Sequence, residues 1–134
     1  MNQLRGRVVG VECSGHISLV DVEIGGDVFT ATVLESVDSA DYMKVGAEVS
    51  LMFKETEVSL AKNLSGLITL RNRFRVIVRS IQRGAVLSAV ELDYRGHPLS
   101  SVVTTRGVER LQLAVGDEVE ALVKANEMML GSMA

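Results

Sequence analysis

The residue types that most often carry chemistry are sparse in this chain. It holds one cysteine, Cys13, and two histidines, His16 and His97, at unrelated positions. That set does not supply the ligand shell of a zinc or copper site, and a lone cysteine forms no internal disulfide. Neither histidine has an obvious serine or cysteine partner in sequence, and the carboxylates are scattered, so no acid/base pair can be named. The chain is expected not to be an enzyme, with no covalent cofactor and no protein-ligated metal. The cations are more ordered. Arg71, Arg73, Arg75, Arg79 and Arg83 share odd parity and therefore one face of an extended strand. Two readings stay open for that face. It is either a solvated surface paired with acids such as Glu91 and Asp93, or a basic patch for anions or nucleic acid. It lacks the interleaved exposed aromatics that single-strand binding generally uses, and Phe74, of opposite parity, should face the core.

Composition narrows the class. The 134 residues are 47% hydrophobic, with 12 glycines, one proline and no tryptophan. The length suits one ordinary domain or two very small ones, and small domains bury too little surface to be robust alone. No apolar run reaches membrane-spanning length, and the first residues carry no apolar signal core, so a cytoplasmic location and no membrane association are expected. The formal net charge is −3, which argues against a dedicated nucleic-acid binder. It is unevenly spread. Residues 1–67 carry 5 Lys/Arg against 10 Asp/Glu, and residues 68–134 carry 9 against 7. An anion site should lean on the second half or on junctions that it makes.

The elements that would position these residues follow from a repeat. A shift of 70 residues aligns Asn2–Leu60 with Asn72–Leu130 without a gap, and fourteen positions are identical. They include Asn2/Asn72, Gly26/Gly96, Gly46/Gly116, Lys54/Lys124 and Glu57/Glu127. By spacing alone the paired lysines read as edge-strand lysines. Period-two alternation and glycine-bearing turns predict strands near 4–13, 17–24, 28–34, 48–54 and 57–61, and again near 74–83, 86–94, 98–104, 118–124 and 127–130. A short helical turn is predicted over 106–112. Met128, Met129 and Met133 read as core filler and a frayed tail. Five short strands plus a helical turn in about 65 residues is the pattern of an OB-type Greek-key barrel. The expected fold is all-β, two tandem five-stranded OB-like barrels, each with a short helical turn, over residues 1–65 and 66–134.

Several segments are familiar in order and spacing. Thr69-Leu70-Arg71-Asn72 resembles the Ser-Ala-Arg-Asn opening of the Mop domain, or molbindin. Arg83-Gly84-Ala85-Val86-Leu87-Ser88-Ala89-Val90 resembles that family's Gly-Ala-Val segment. Leu111 to Ala125, with Gly116, Glu118, Val119, Ala121, Val123 and Lys124, resembles its closing strand. The whole chain resembles a tandem Mop protein. The chain has neither a helix-turn-helix segment nor a Gly-x-x-x-x-Gly-Lys-Ser/Thr phosphate loop, so it would be the binding module alone.

The resemblance implies binding of molybdate, and of tungstate, for storage or homeostasis. It also implies a homotrimer of tandem barrels with sites between barrels. Molybdate is a tetrahedral dianion that needs inward-pointing donors rather than a protein–metal bond. The site residues so implied are Thr69, Arg71 and Asn72 at the strand entrance, Thr104 at the end of the third strand, and Lys124 with the backbone N–H groups of Ala125 and Asn126. Lys54 is the first-half counterpart. That half departs from the motif. It opens at Met1-Asn2, and Leu34 stands where Thr104 has its counterpart, with Ser36 nearby. Fewer or weaker sites are expected there. The alternative reading is an OB-type nucleic-acid-binding protein that uses the Arg71–Arg83 face.

Overall fold

The structure is a computed structural model and describes residues 1–34 and 43–133. Its first half contributes β1 (Asn2–Ser14), β2 (Ile17–Ile24), β3 (Asp27–Val33), β4 (Glu48–Phe53) and β5 (Ser59–Ala61). The second contributes β6 (Asn72–Arg83), β7 (Leu87–Tyr94), β8 (His97–Thr104), β9 (Glu118–Val123) and β10 (Met129–Ser132). One helix, α1 (Thr105–Leu111), lies between β8 and β9. Its first-half counterpart would fall on residues 35–41, outside the described residues, as does Ser36.

Two five-stranded antiparallel sheets result, in the orders β10-β4-β1-β2-β3 and β5-β9-β6-β7-β8. The halves therefore exchange their last strands. Met129, Leu130, Gly131 and Ser132 pair with Met52, Leu51, Ser50 and Val49 of the first half. Ser59, Leu60 and Ala61 pair with Leu122, Ala121 and Glu120 of the second. Met129–Ser132 are thus a paired strand rather than part of a frayed tail. β10 also touches β3, and β5 touches β8, so each sheet rolls towards closure.

The alternation seen in sequence is the alternation of burial. In β7, Ser88, Val90, Leu92 and Tyr94 point inward while their neighbours face outward. Phe29, Phe53, Phe74 and Tyr94 meet edge-to-face between the halves, with Phe29–Phe74 centroids 5.0 Å apart and Phe74–Tyr94 centroids 5.2 Å apart. A single hydrophobic cluster runs from Leu4 through these rings to Met128. Each large apolar side chain buried in it contributes about 1.5–3 kcal/mol. The core is shared, which answers the difficulty that two domains of this size would face separately.

Both halves carry a bulge at the same place, between Val8 and Gly10 and between Val78 and Ser80. There the Val8 and Val78 backbones bond to the loop before the fourth strand. Gly46 N–H donates to the Val8 carbonyl, and Gly116 N–H to the Val78 carbonyl, both at 2.8 Å. These glycines have φ of 93° and 94°, which disfavours other residues and accounts for their retention in the repeat.

Candidate functional site

The strand register places the second half's cations together. Asn72, the first residue of β6, lies opposite Val123, the last of β9. Arg71 and Lys124 therefore emerge at the same end of one ladder. Both are exposed, and neither side chain makes a hydrogen bond or ion pair with a described residue. Thr69, two residues earlier, is also exposed. Lys124 leads from extended backbone into a 3-10 turn at Ala125–Glu127. Glu127 N–H donates to the Lys124 carbonyl at 2.9 Å and Met128 N–H to the Ala125 carbonyl at 3.2 Å. The N–H groups of Ala125 and Asn126 open the turn and have no acceptor inside it. A guanidinium, an ammonium and two amide donors thus gather at one end. That is a donor-only set, suited to an anion's oxygens rather than to a cation.

Asn72 has a different part. It is 1% exposed, and its carboxamide is taken up by β3 of the other half. Its amide donates to the Thr30 carbonyl at 2.9 Å, and its oxygen accepts from Thr30 N–H at 2.7 Å. Asn2 repeats the arrangement on β8. It donates to the Ser100 carbonyl and accepts from Ser100 N–H, both at 2.8 Å. The repeated asparagines therefore fix where each strand entrance sits against the opposite half. The 3-10 turn after Lys124 likewise rests against β3.

The first-half junction has the same backbone and different side chains. Lys54 is exposed and unpaired among the described residues, and it leads into a 3-10 turn at Glu55–Glu57 that rests against β8. Ser101 of β8 donates its hydroxyl to the Val58 carbonyl at 2.7 Å, just beyond that turn. Arg71 is matched here by Met1, and Ala125 by Glu55, which forms an ion pair with the Met1 α-ammonium. That bond and the residue's own backbone N–H hold the Glu55 carboxyl below the usual carboxylate range.

The structure does not bring Thr104 to the Lys124 group. Its hydroxyl caps α1, accepting from Gly107 N–H at 3.0 Å. It lines a cleft with Ser59 and Leu60 of β5, on the side of the first half's closing segment. Leu34, its counterpart, is exposed.

Most of the arginine face is already neutralised. Arg73 forms a two-pronged pair with Glu120 at 2.9 and 3.0 Å. Arg75 meets Glu118 at 3.1 Å, and Arg79 meets Asp93 at 2.5 Å. The Glu120 carboxyl is lowered by hydrogen bonding to Arg73, and the Asp93 carboxyl by Arg79 and then by Gly96 N–H. This is the solvated, acid-paired surface, and it leaves little of a basic track for nucleic acid. Of the two acids named from sequence, Asp93 takes that part, while Glu91 instead accepts from the Ser100 hydroxyl at 2.6 Å.

Two contacts between the halves carried no sequence signal. The Tyr94 hydroxyl donates to Asp27 at 2.7 Å, and burial followed by that bond raises its pKa. Lys62, in the connector between β5 and β6, donates to the Leu111 and Gln112 carbonyls at the end of α1 and pairs with Asp117 at 3.1 Å. Among the described residues no group of three or more His, Cys, Asp or Glu could hold a metal, and no helix is long and apolar enough to cross a membrane.

Comparison with known proteins agrees with this picture. The chain is 37% identical over 108 residues to the molybdenum import ATP-binding protein ModC of Brucella abortus, which covers 80% of this chain and 28% of that protein. It is 43% identical over 63 residues to the molybdenum-pterin-binding protein MopA of Rhodobacter capsulatus, covering 46% of this chain and 24% of that one. The chain thus spans about a quarter of the length of these two relatives. In three dimensions it matches the cytoplasmic molybdate-binding protein ModG, whose structure holds molybdate, with a TM-score of 0.90 and 32% identity over 98% of this chain and 95% of that one. A TOBE domain model matches residues 1–60 and again 68–130. The repeat found by self-alignment is therefore a repeat of that domain, and the chain belongs to the TOBE-domain family.

Proposed function

We propose that this protein binds molybdate, and tungstate with it, as a tetrahedral dianion at the junctions where strand entrances and lysine turns meet. The role is intracellular storage or homeostasis of the oxyanion, by binding rather than catalysis. Arg71 and Lys124 supply the charge-assisted donors that set affinity. The Ala125 and Asn126 N–H groups, with the Thr69 hydroxyl, set orientation and size. Asn72 holds the entrance in place. Thr104 and Lys54 belong to the first half's side of the molecule, where the counterpart junction is the weaker one.

The observation that carries this reading is that the Arg71 and Lys124 side chains have no partner among the described residues, at one end of a ladder whose other arginines are mostly neutralised. The likeness to molybdate-loaded ModG supports the choice of anion. The resemblance to the Mop domain implies a homotrimer whose subunits bring further donors to the junctions. Elemental analysis of purified protein after molybdate exposure and desalting, with excess sulfate as competitor, tests the function. Molybdenum should be retained in stoichiometric amount. Loss of all molybdenum to sulfate would refute the assignment.

A further inference from the structure

The two halves present junctions of matching backbone that differ in charge. Lys54 and Lys124 have nearly the same backbone, with φ/ψ of −73°/146° and −66°/140°. Each is followed by a three-residue 3-10 turn closed by matching bonds. Glu57 N–H reaches the Lys54 carbonyl at 3.0 Å where Glu127 N–H reaches the Lys124 carbonyl at 2.9 Å. The preceding strands are in the same register, Asn2 opposite Phe53 and Asn72 opposite Val123. The frame for presenting donors is thus present twice.

The side chains are not equivalent. Around Lys124 the matched positions are Arg71, Ala125, Asn126 and Glu127. Around Lys54 they are Met1, Glu55, Thr56 and Glu57. Counting side chains with each lysine, the second junction is net +1 and the first net −1, which the Met1 α-ammonium paired with Glu55 brings to neutral. The decisive exchange is Ala125 for Glu55. It puts a carboxylate on the residue whose N–H opens the turn, and Glu55 carries its negative charge to a cation at that junction. A dianion arriving there finds the local α-ammonium already taken by Glu55 and no guanidinium in its place.

We propose that Glu55 closes the first-half junction to doubly charged oxyanions, so that the two halves are functionally unequal. The Lys124 junction binds, and the Lys54 junction keeps its frame while an internal carboxylate holds the anion's place. This rests on the oxyanion-binding reading above. It goes further by assigning discrimination between the two junctions to a single side chain.

The test uses the full chain and molybdate titrations read as molybdate bound per chain. Glu55→Ala copies the residue its counterpart carries, and Glu55→Gln removes only the charge. Both should raise the number of molybdate ions bound at saturation. Ala125→Glu copies the first half into the second and should weaken binding at least tenfold. Circular dichroism verifies the fold of each variant, and the repeat already accommodates both residues on this backbone. Unchanged stoichiometry in both Glu55 variants would overturn the proposal, as would wild-type affinity in Ala125→Glu. Wild-type protein that binds no molybdate at all would instead refute the binding function itself, and this inference with it.

Discussion

Asn72 on β6 grips Thr30 on β3 through both of that residue's backbone groups, at 2.9 and 2.7 Å, in a buried position between the halves. An amide side chain standing in for a strand's ladder partner is hard to replace. In Asn72→Ala the Thr30 N–H and carbonyl would be buried without partners, each at about 1–3 kcal/mol. The variant should lose roughly 2–4 kcal/mol of stability. Asn2→Ala removes the matching bonds to Ser100 at a more open site and should lose less. Thermal unfolding of the two variants side by side checks the order. Equal losses would show that burial does not set the difference.

Removing the cations that have no partner among the described residues should do the opposite. Arg71→Ala and Lys124→Ala break no bond with a described residue, so the ligand-free melting temperature should stay close to wild type. Isothermal titration should show molybdate affinity reduced by more than tenfold in each. A wild-type affinity in either variant would remove that residue from the site.

Ligand should stabilise the wild type measurably. Binding restricted to the folded state adds about 2.7 kcal/mol at a ligand concentration one hundred times the dissociation constant. Differential scanning calorimetry with increasing molybdate should show a steadily rising transition. A flat series would count against binding to the folded protein.

The arginine face predicts an acid sensitivity with a definite sign. Glu120 and Asp93 have pKa values lowered in the folded state by Arg73 and Arg79. Their contribution is complete above the ordinary carboxylate pKa and is lost as the pH falls through the lower folded value. Stability should therefore fall as the pH drops below about 4. Glu120→Gln should reduce that dependence while changing little near neutrality, since partly exposed pairs are weak. Melting temperatures at pH 5 and pH 3 for both proteins measure the effect, and an unchanged difference would exclude this pair as a source.

Much of this was legible in the chain. Alternation located the strands to within a few residues, because each strand has one face on the shared core and one in water. The glycines at 46 and 116 marked bulge-side turns that need positive φ. Other features were not legible, for identifiable reasons. The strand exchange is invisible to patterning, since Ser59-Leu60-Ala61 and Met129-Leu130-Gly131 fit either sheet edge equally well. The arginine partners on β9 depended on register. β6 pairs with β9 along its first half and with β7 along its second, so Glu118 and Glu120 serve Arg75 and Arg73 while Asp93 serves Arg79. The repeated asparagines signalled importance without saying whether they face a ligand or the opposite half. Glu55 stood out only once the two turns were seen to share one backbone.

The traded strands make each half the custodian of a piece its neighbour needs. A protease cut in the connector near residue 65 would give two fragments, each holding the other's closing strand. Such fragments have reason to stay together, because parting exposes a raw edge on both. Loosening at either end therefore reaches the far end through the backbone itself, and the duplicated molecule stands or falls as one piece.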